Sequence, residues 1–129
     1  MMPNLILDAC ALIWLAEGSD CISKETRRRI DDAFVVYVSP ISLWEIARKV
    51  AKGKLKLPLD PAEWFDRVKE QHNLTLLPFT EAVAFKAATL PEIHKDPSDR
   101  FIVASAMENN LVIVTADHII PQYDVECIC

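Results

Sequence analysis

The chain alternates between short, continuous apolar runs and longer segments in which apolar residues recur every three or four positions. The first pattern predicts strands buried on both faces of a parallel sheet, and the second predicts amphipathic helices packed against it. Continuous apolar runs fall at residues 4–8 and 111–117, further strands are expected at 34–38 and 74–77, and a short fifth strand at 125–129. Helices are expected at 9–17, 24–33, about 40–52, about 61–71, 81–90 and from 97 onward. Gly18 and Gly53 stand where the first and third helices should end. Ser23, Ser39 and Thr80 stand at N-cap positions, and Pro40, Pro61 and Pro97 open first turns. The segment from Phe101 to Met107 is nearly all apolar, so the sixth helix is expected to be central.

Strands alternating with helices imply an α/β fold, a mostly parallel sheet of about five strands covered on both faces. With no repeat, low-complexity tract or dividing linker, residues 1–129 read as one domain. The hydrophobic share of 51% against 26% charged residues is that of a globular chain.

A net charge of -5 argues against a protein that coats nucleic acid through bulk charge, but leaves room for a carboxylate cluster beside a local basic patch. Only Gly18 and Gly53 are glycines, which excludes Gly-rich phosphate loops and the dinucleotide fingerprint. Cys10, Cys21, Cys127 and Cys129 match no zinc spacing, and no signal-peptide pattern opens the sequence. They are expected to be reduced thiols of a cytoplasmic protein, with Cys127 and Cys129 sharing one strand face as small hydrophobes. No apolar run reaches the length of a membrane span.

The candidate chemistry lies in the acids. Asp8 and Asp117 each close an apolar run, so both are expected at the carboxyl ends of strands, the rim where an open α/β sheet binds its ligand. Glu45 lies in the first two turns of the helix after the second strand, and that helix starts from the same rim. Asp99 lies in the first turn of the helix that leads into the fourth strand, which also starts there. Four acids scattered through the chain are thus collected on one edge. Carboxylates so close repel, and a hard divalent cation such as Mg²⁺ or Mn²⁺ removes that cost. Such an ion can activate water and stabilise the leaving oxygen of a phosphodiester.

Each acid also has an ordinary structural reading. Asp8 suits an N-cap, and Ser42-Leu43-Trp44-Glu45 has the form of a capping box. Glu45 also faces Arg48 and Lys49 at helical spacing. Asp96 and Asp99 surround Pro97, with Asp96 read as the cap and Asp99 as the ligand. Thr115 shares a strand face with Asp117 and is placed either to orient it or to sit in the core. His72, His94 and His118 lack ligand spacing and are not read as metal ligands, although His94 is placed to fix the loop before Asp96. Trp14, Trp44, Trp64 and Phe65 read as core or interface residues.

The stretches Leu5-Ile6-Leu7-Asp8, Ser42-Leu43-Trp44-Glu45-Ile46-Ala47-Arg48-Lys49, His94-Lys95-Asp96-Pro97-Ser98-Asp99-Arg100 and Val114-Thr115-Ala116-Asp117 together resemble the PIN-domain ribonucleases of the VapC toxin type. The resemblance covers essentially the whole chain. It implies a three-layer α/β/α sandwich and an Mg²⁺- or Mn²⁺-dependent endoribonuclease, with Asp8, Glu45, Asp99 and Asp117 at the family's acidic positions. Asp96 and Thr115 are candidates for support around the metal. The resemblance further implies a homodimer, an RNA substrate such as tRNA or rRNA, and inhibition by a cognate antitoxin. Ala9 stands where many relatives carry Thr or Ser. Arg48, Lys49 and Lys52, on the third helix, start beside Glu45 and are placed to hold an RNA backbone, and Lys54 and Lys56 add to the local positive charge. Arg27, Arg28 and Arg29 equally suit a solvated face. Arg100 is placed to pair with acids or phosphate.

Two other readings compete. A phosphatase using an aspartate nucleophile commonly has a second Asp two residues on, where this chain has Cys10. A degenerate domain that only binds a partner protein would have no need of four intact acids.

Overall fold

The computed structural model describes residues 3–129. Among these residues, five strands form one sheet: β1 (Leu5–Leu7), β2 (Val36–Val38), β3 (Leu74–Leu76), β4 (Val112–Val114) and β5 (Cys127–Ile128). Their order is β3-β2-β1-β4-β5, and every pairing is parallel. The helices are α1 (Ala9–Glu17), α2 (Lys24–Asp32), α3 (Pro40–Ala51), α4 (Pro61–His72), α5 (Glu81–Thr89) and α6 (Pro97–Asn109), with a 3₁₀ turn at Ile120–Gln122. None of the described helices is long and apolar enough to cross a membrane.

Alternation along the strands divides the core in two. Leu5, Leu7, Val36, Val38, Val112 and Val114 pack with Leu12 and Leu15 of α1, Ile30 of α2, Ile46 of α3, and Trp64, Phe65 and Val68 of α4. Ile6 and Ile113 face the other way, onto Val83 and Ala87 of α5 and Ile102, Val103 and Ala106 of α6. This is the α/β/α sandwich, with α1 to α4 on one face and α5 and α6 on the other. Burial of each Leu or Ile of β1 and β4 contributes about 1.5–3 kcal/mol, which explains why these two central strands are apolar on both faces. The edge strand β3 is instead largely exposed, with Leu76 44% exposed.

Helix ends follow the expected punctuation, with two additions. Gly18 at φ 68° ends α1, as its position implied. Asn73 and Asn110, at φ 54° and 53°, end α4 and α6 in the same left-handed conformation. Ser39 Oγ accepts the Ile41 N–H at 3.2 Å, so Ser39 caps α3. Ser42 is buried inside the helix, and the capping-box reading of Glu45 does not hold.

The fourth strand is shorter than expected, and Asp117 is not a strand residue. The ladder stops because side chains replace it: Thr115 Oγ1 accepts the Asp117 N–H, and Asp117 Oδ1 accepts two further N–H groups. Strand order runs outward in opposite directions from β1 and β4, which makes the carboxyl ends of this pair the switch point where open α/β sheets form a crevice.

Candidate metal centre

Asp8 follows β1 directly and is buried. Its Oδ1 accepts the Ala11 N–H at 2.8 Å, capping α1, while its Oδ2 accepts the hydroxyl of Thr115. The capping role and the place at the rim are therefore held by one carboxylate through different oxygens. Burial pushes the Asp8 carboxyl above its ordinary range, and the bonds from Thr115 and Ala11 offset only part of that rise.

Asp117 lies three residues beyond β4. Its Oδ1 accepts the N–H groups of Ile119 at 2.7 Å and Ile120 at 3.1 Å. Its Oδ2 lies 3.1 Å from His94 Nε2. Partial burial alone would raise this carboxyl, but His94 and the two backbone N–H groups outweigh it and hold Asp117 below the ordinary range. Thr115 acts on the backbone of Asp117 and on the carboxylate of Asp8, not on the Asp117 side chain.

Asp99 lies in the first turn of α6, behind Asp96, whose Oδ1 caps the helix through the Ser98 N–H at 3.0 Å. Asp99 Oδ2 lies 3.0 Å from His94 Nε2. Burial, then the charge of Asp96, pushes the Asp99 carboxyl up to about 7; Asp117 and Glu45 add to the rise and His94 opposes it. Glu45 sits on α3, 3.7 Å from Lys49 Nζ, as its helical spacing implied.

Asp8, Glu45, Asp96, Asp99 and Asp117 line a single cleft of about 350 Å³, together with Cys10, Trp14 and Lys49. Within it, His94, Asp99 and Asp117 form a tighter group whose nearest side-chain atoms lie within 4.8 Å of one another. Asp8 and Glu45 line the cleft outside that group. The carboxylates supply oxygen donors only, of the type that suits a hard divalent cation. The Asp99 carboxyl, raised first by burial and then by the acids around it, marks a charge cluster that such an ion would relieve.

His94 is the site residue that spacing did not bring forward. It is buried, and it bridges α6 and the loop after β4. The one signal in the sequence was its position two residues ahead of a helix-capping Asp. The role of fixing the loop before Asp96 agrees with the Asp96 N–H lying 3.1 Å from His94 Nδ1.

Arg100 does not serve the cleft. Its guanidinium donates to the carbonyls of Ala87 at 2.8 Å and of Leu90 and Pro91 at 3.0 Å, closing the end of α5. Its nearest acid is the exposed Glu92 at 3.8 Å. The four cysteines are free thiols; Cys127 packs against the α5–α6 core, and Cys129 donates to the Cys21 carbonyl.

The chain matches the PIN domain family over residues 5–126 and belongs to it. It is 27% identical over 117 residues to Ribonuclease VapC22 of Mycobacterium tuberculosis (strain ATCC 25618 / H37Rv), covering 90% of this chain and 88% of that protein. Among solved structures it is similar to VapBC2 from Rickettsia felis, bound to a DNA fragment from their promoter, with a TM-score of 0.73, 14% identity and 97% coverage of each chain. It is also similar to FitAcB from Neisseria gonorrhoeae, with a TM-score of 0.68, 21% identity, and coverage of 97% of this chain and 96% of that one.

Proposed function

We propose that the chain is a metal-dependent endoribonuclease, the toxin of a toxin–antitoxin pair, which hydrolyses RNA phosphodiester bonds in the cytoplasm. The observation that carries this reading is the convergence of Asp8, Glu45, Asp99 and Asp117, from four separate segments, on one cleft. Membership of the PIN domain family and the similarity to Ribonuclease VapC22 support it.

Asp8, Glu45, Asp99 and Asp117 would hold the cation, Mg²⁺ or Mn²⁺. When bound, such an ion supplies Lewis acidity toward a phosphate oxygen and lowers the pKa of a water molecule. Thr115 and the Ala11 N–H keep Asp8 in one orientation, and the Ile119 and Ile120 N–H groups do the same for Asp117. The N-terminus of α6, beside Asp99, favours the anionic phosphate. Arg48, Lys49, Lys52 and Lys54 line an adjoining groove of about 320 Å³ that leads away from Glu45 and would bind the RNA backbone.

Two partners complete the reading. The apolar groove between α3 and α4, lined by Leu43, Trp44, Ile46, Trp64 and Phe65, suits a helical segment of an antitoxin. The exposed aromatic rings of Phe79 and Phe85, the latter 70% exposed, favour a homodimer built through α5.

The test is cleavage of tRNA and rRNA by purified protein with Mn²⁺ or Mg²⁺, against EDTA and Asp8→Asn. Discrete, metal-dependent cuts lost in the variant are expected. Absence of both cleavage and calorimetric metal binding would replace the nuclease by a protein-binding module.

A further inference from the structure

His94 presents a choice that distance alone leaves open. Its Nε2 lies 3.0 Å from Asp99 Oδ2 and 3.1 Å from Asp117 Oδ2. Adjacent donors around an octahedral ion at about 2.1 Å would be separated by roughly 3 Å, so both distances from His94 Nε2 match those within a ligand set, and all three residues offer donors within 4.8 Å of one another. They also have the spacing of hydrogen bonds.

The other ring nitrogen decides between them. The backbone N–H of Asp96 is directed at His94 Nδ1 at 3.1 Å. Nδ1 therefore uses its lone pair as an acceptor and carries no hydrogen. A neutral imidazole has one N–H, which must then sit on Nε2, where no lone pair remains for a metal. The proton points at the two carboxylates.

The ring is held in this pose from behind. The backbone N–H of His94 donates to Tyr123 Oη at 2.8 Å, and the Tyr123 hydroxyl donates in turn to the Pro91 carbonyl at 3.3 Å. Arg100 secures the same loop through the Pro91 carbonyl. His94 is thus anchored to the loop that leads into α6, the helix that carries Asp99, and to the segment after β4, which carries Asp117.

We infer that His94 is a positioning residue, not a metal ligand: its Nε2–H is shared between Asp99 and Asp117, sets the separation of their carboxylates, and leaves an all-oxygen donor set for the cation. This rests on the metal-nuclease reading above. It also carries a consequence for metal choice. With His94 committed as a donor, nitrogen-preferring ions such as Zn²⁺ lose the ligand that would favour them over Mn²⁺.

Two measurements on the native chain test this without a variant. Imidazole ¹⁵N shifts of the metal-free protein report which ring nitrogen is protonated, and the Nε2–H form is expected. Electron spin echo spectroscopy of bound Mn²⁺ detects a directly coordinated nitrogen, and none is expected. Calorimetry should then show Mn²⁺ binding weakened about 10- to 100-fold in His94→Ala. His94→Gln, whose amide keeps a donor at similar reach, should retain more affinity, with circular dichroism confirming that both variants fold. An Nδ1–H tautomer, a nitrogen coupling on Mn²⁺, or native affinity in His94→Ala would each overturn the inference. No Mn²⁺ binding by the native chain would instead overturn the nuclease reading, and this inference with it.

Discussion

Thr115 Oγ1 donates to Asp8 Oδ2, joining two residues 107 positions apart. The same oxygen accepts the Asp117 N–H at 3.0 Å, so one buried hydroxyl ties together two of the four acids. Thr115→Val keeps the shape but leaves the buried Asp8 carboxylate short of a donor and the Asp117 N–H short of an acceptor. We expect a loss of about 1–3 kcal/mol in urea denaturation, together with weaker Mn²⁺ binding. Thr115→Ser, which keeps the hydroxyl, should restore most of both.

The raised Asp99 carboxyl makes metal-free stability depend on pH in a defined direction. Its value in the folded chain is about 7 against 3.8 ordinarily, so between those limits the folded state holds a proton that the unfolded state has released. Stability must then fall as pH rises through this window, and Asp8, also raised, acts in the same sense. Asp117, held low, acts oppositely, and only in more acidic solution. The melting temperature with EDTA should decline from about pH 5 to about pH 8 by the Asp8 and Asp99 contributions, and saturating Mn²⁺ should reverse the decline. Asp99→Asn should make the metal-free profile shallower, leaving the Asp8 contribution, and remove most of the Mn²⁺ response. A metal-free melting temperature that is level in wild type and variant alike would contradict this account.

Arg100 is a structural residue beside a proposed metal ligand. It donates to three carbonyls around the end of α5 and the loop that carries His94. Lysine cannot reproduce the planar fork, so Arg100→Lys should destabilise the fold by about 1–3 kcal/mol. Affinity for RNA, measured with non-cleaving Asp8→Asn protein in both backgrounds, should change little. A large loss of RNA affinity with unchanged stability would return Arg100 to the phosphate role that its neighbour Asp99 suggested.

The groove along α3 makes a separate prediction. Exposed Arg48, Lys52 and Lys54 lie outside the acid cluster, so replacing them by Glu should leave the fold and the Mn²⁺ affinity intact. RNA binding by the Asp8→Asn protein should weaken. The slope of log affinity against log salt should become shallower by about 0.7 for each phosphate that is no longer neutralised. An unchanged slope would move the RNA path off α3.

Local pattern determined more of this protein than its modest size suggests. Continuous apolar runs marked β1 and β4, because a strand buried on both faces has no polar positions to offer; β3, at the sheet edge, carries Thr75 and leaves Leu76 exposed. Gly18, Ser23, Ser39, Thr80 and the first-turn prolines marked helix ends, since those preferences arise within a few residues of backbone. The rim position of Asp8, Glu45 and Asp99 followed from connectivity, since parallel crossovers return the chain to the same edge. Other features required distant segments to meet. Strand order brought β4 beside β1, and only then could Thr115 reach Asp8 and end the strand before Asp117. Arg100 turned to the carbonyls of α5 because α5 and α6 pack together on one face. His94 carries no spacing signal, because its partners lie five and twenty-three residues away on separate elements. Its role depends on where two ring nitrogens find a donor and two acceptors, and packing alone supplies that arrangement.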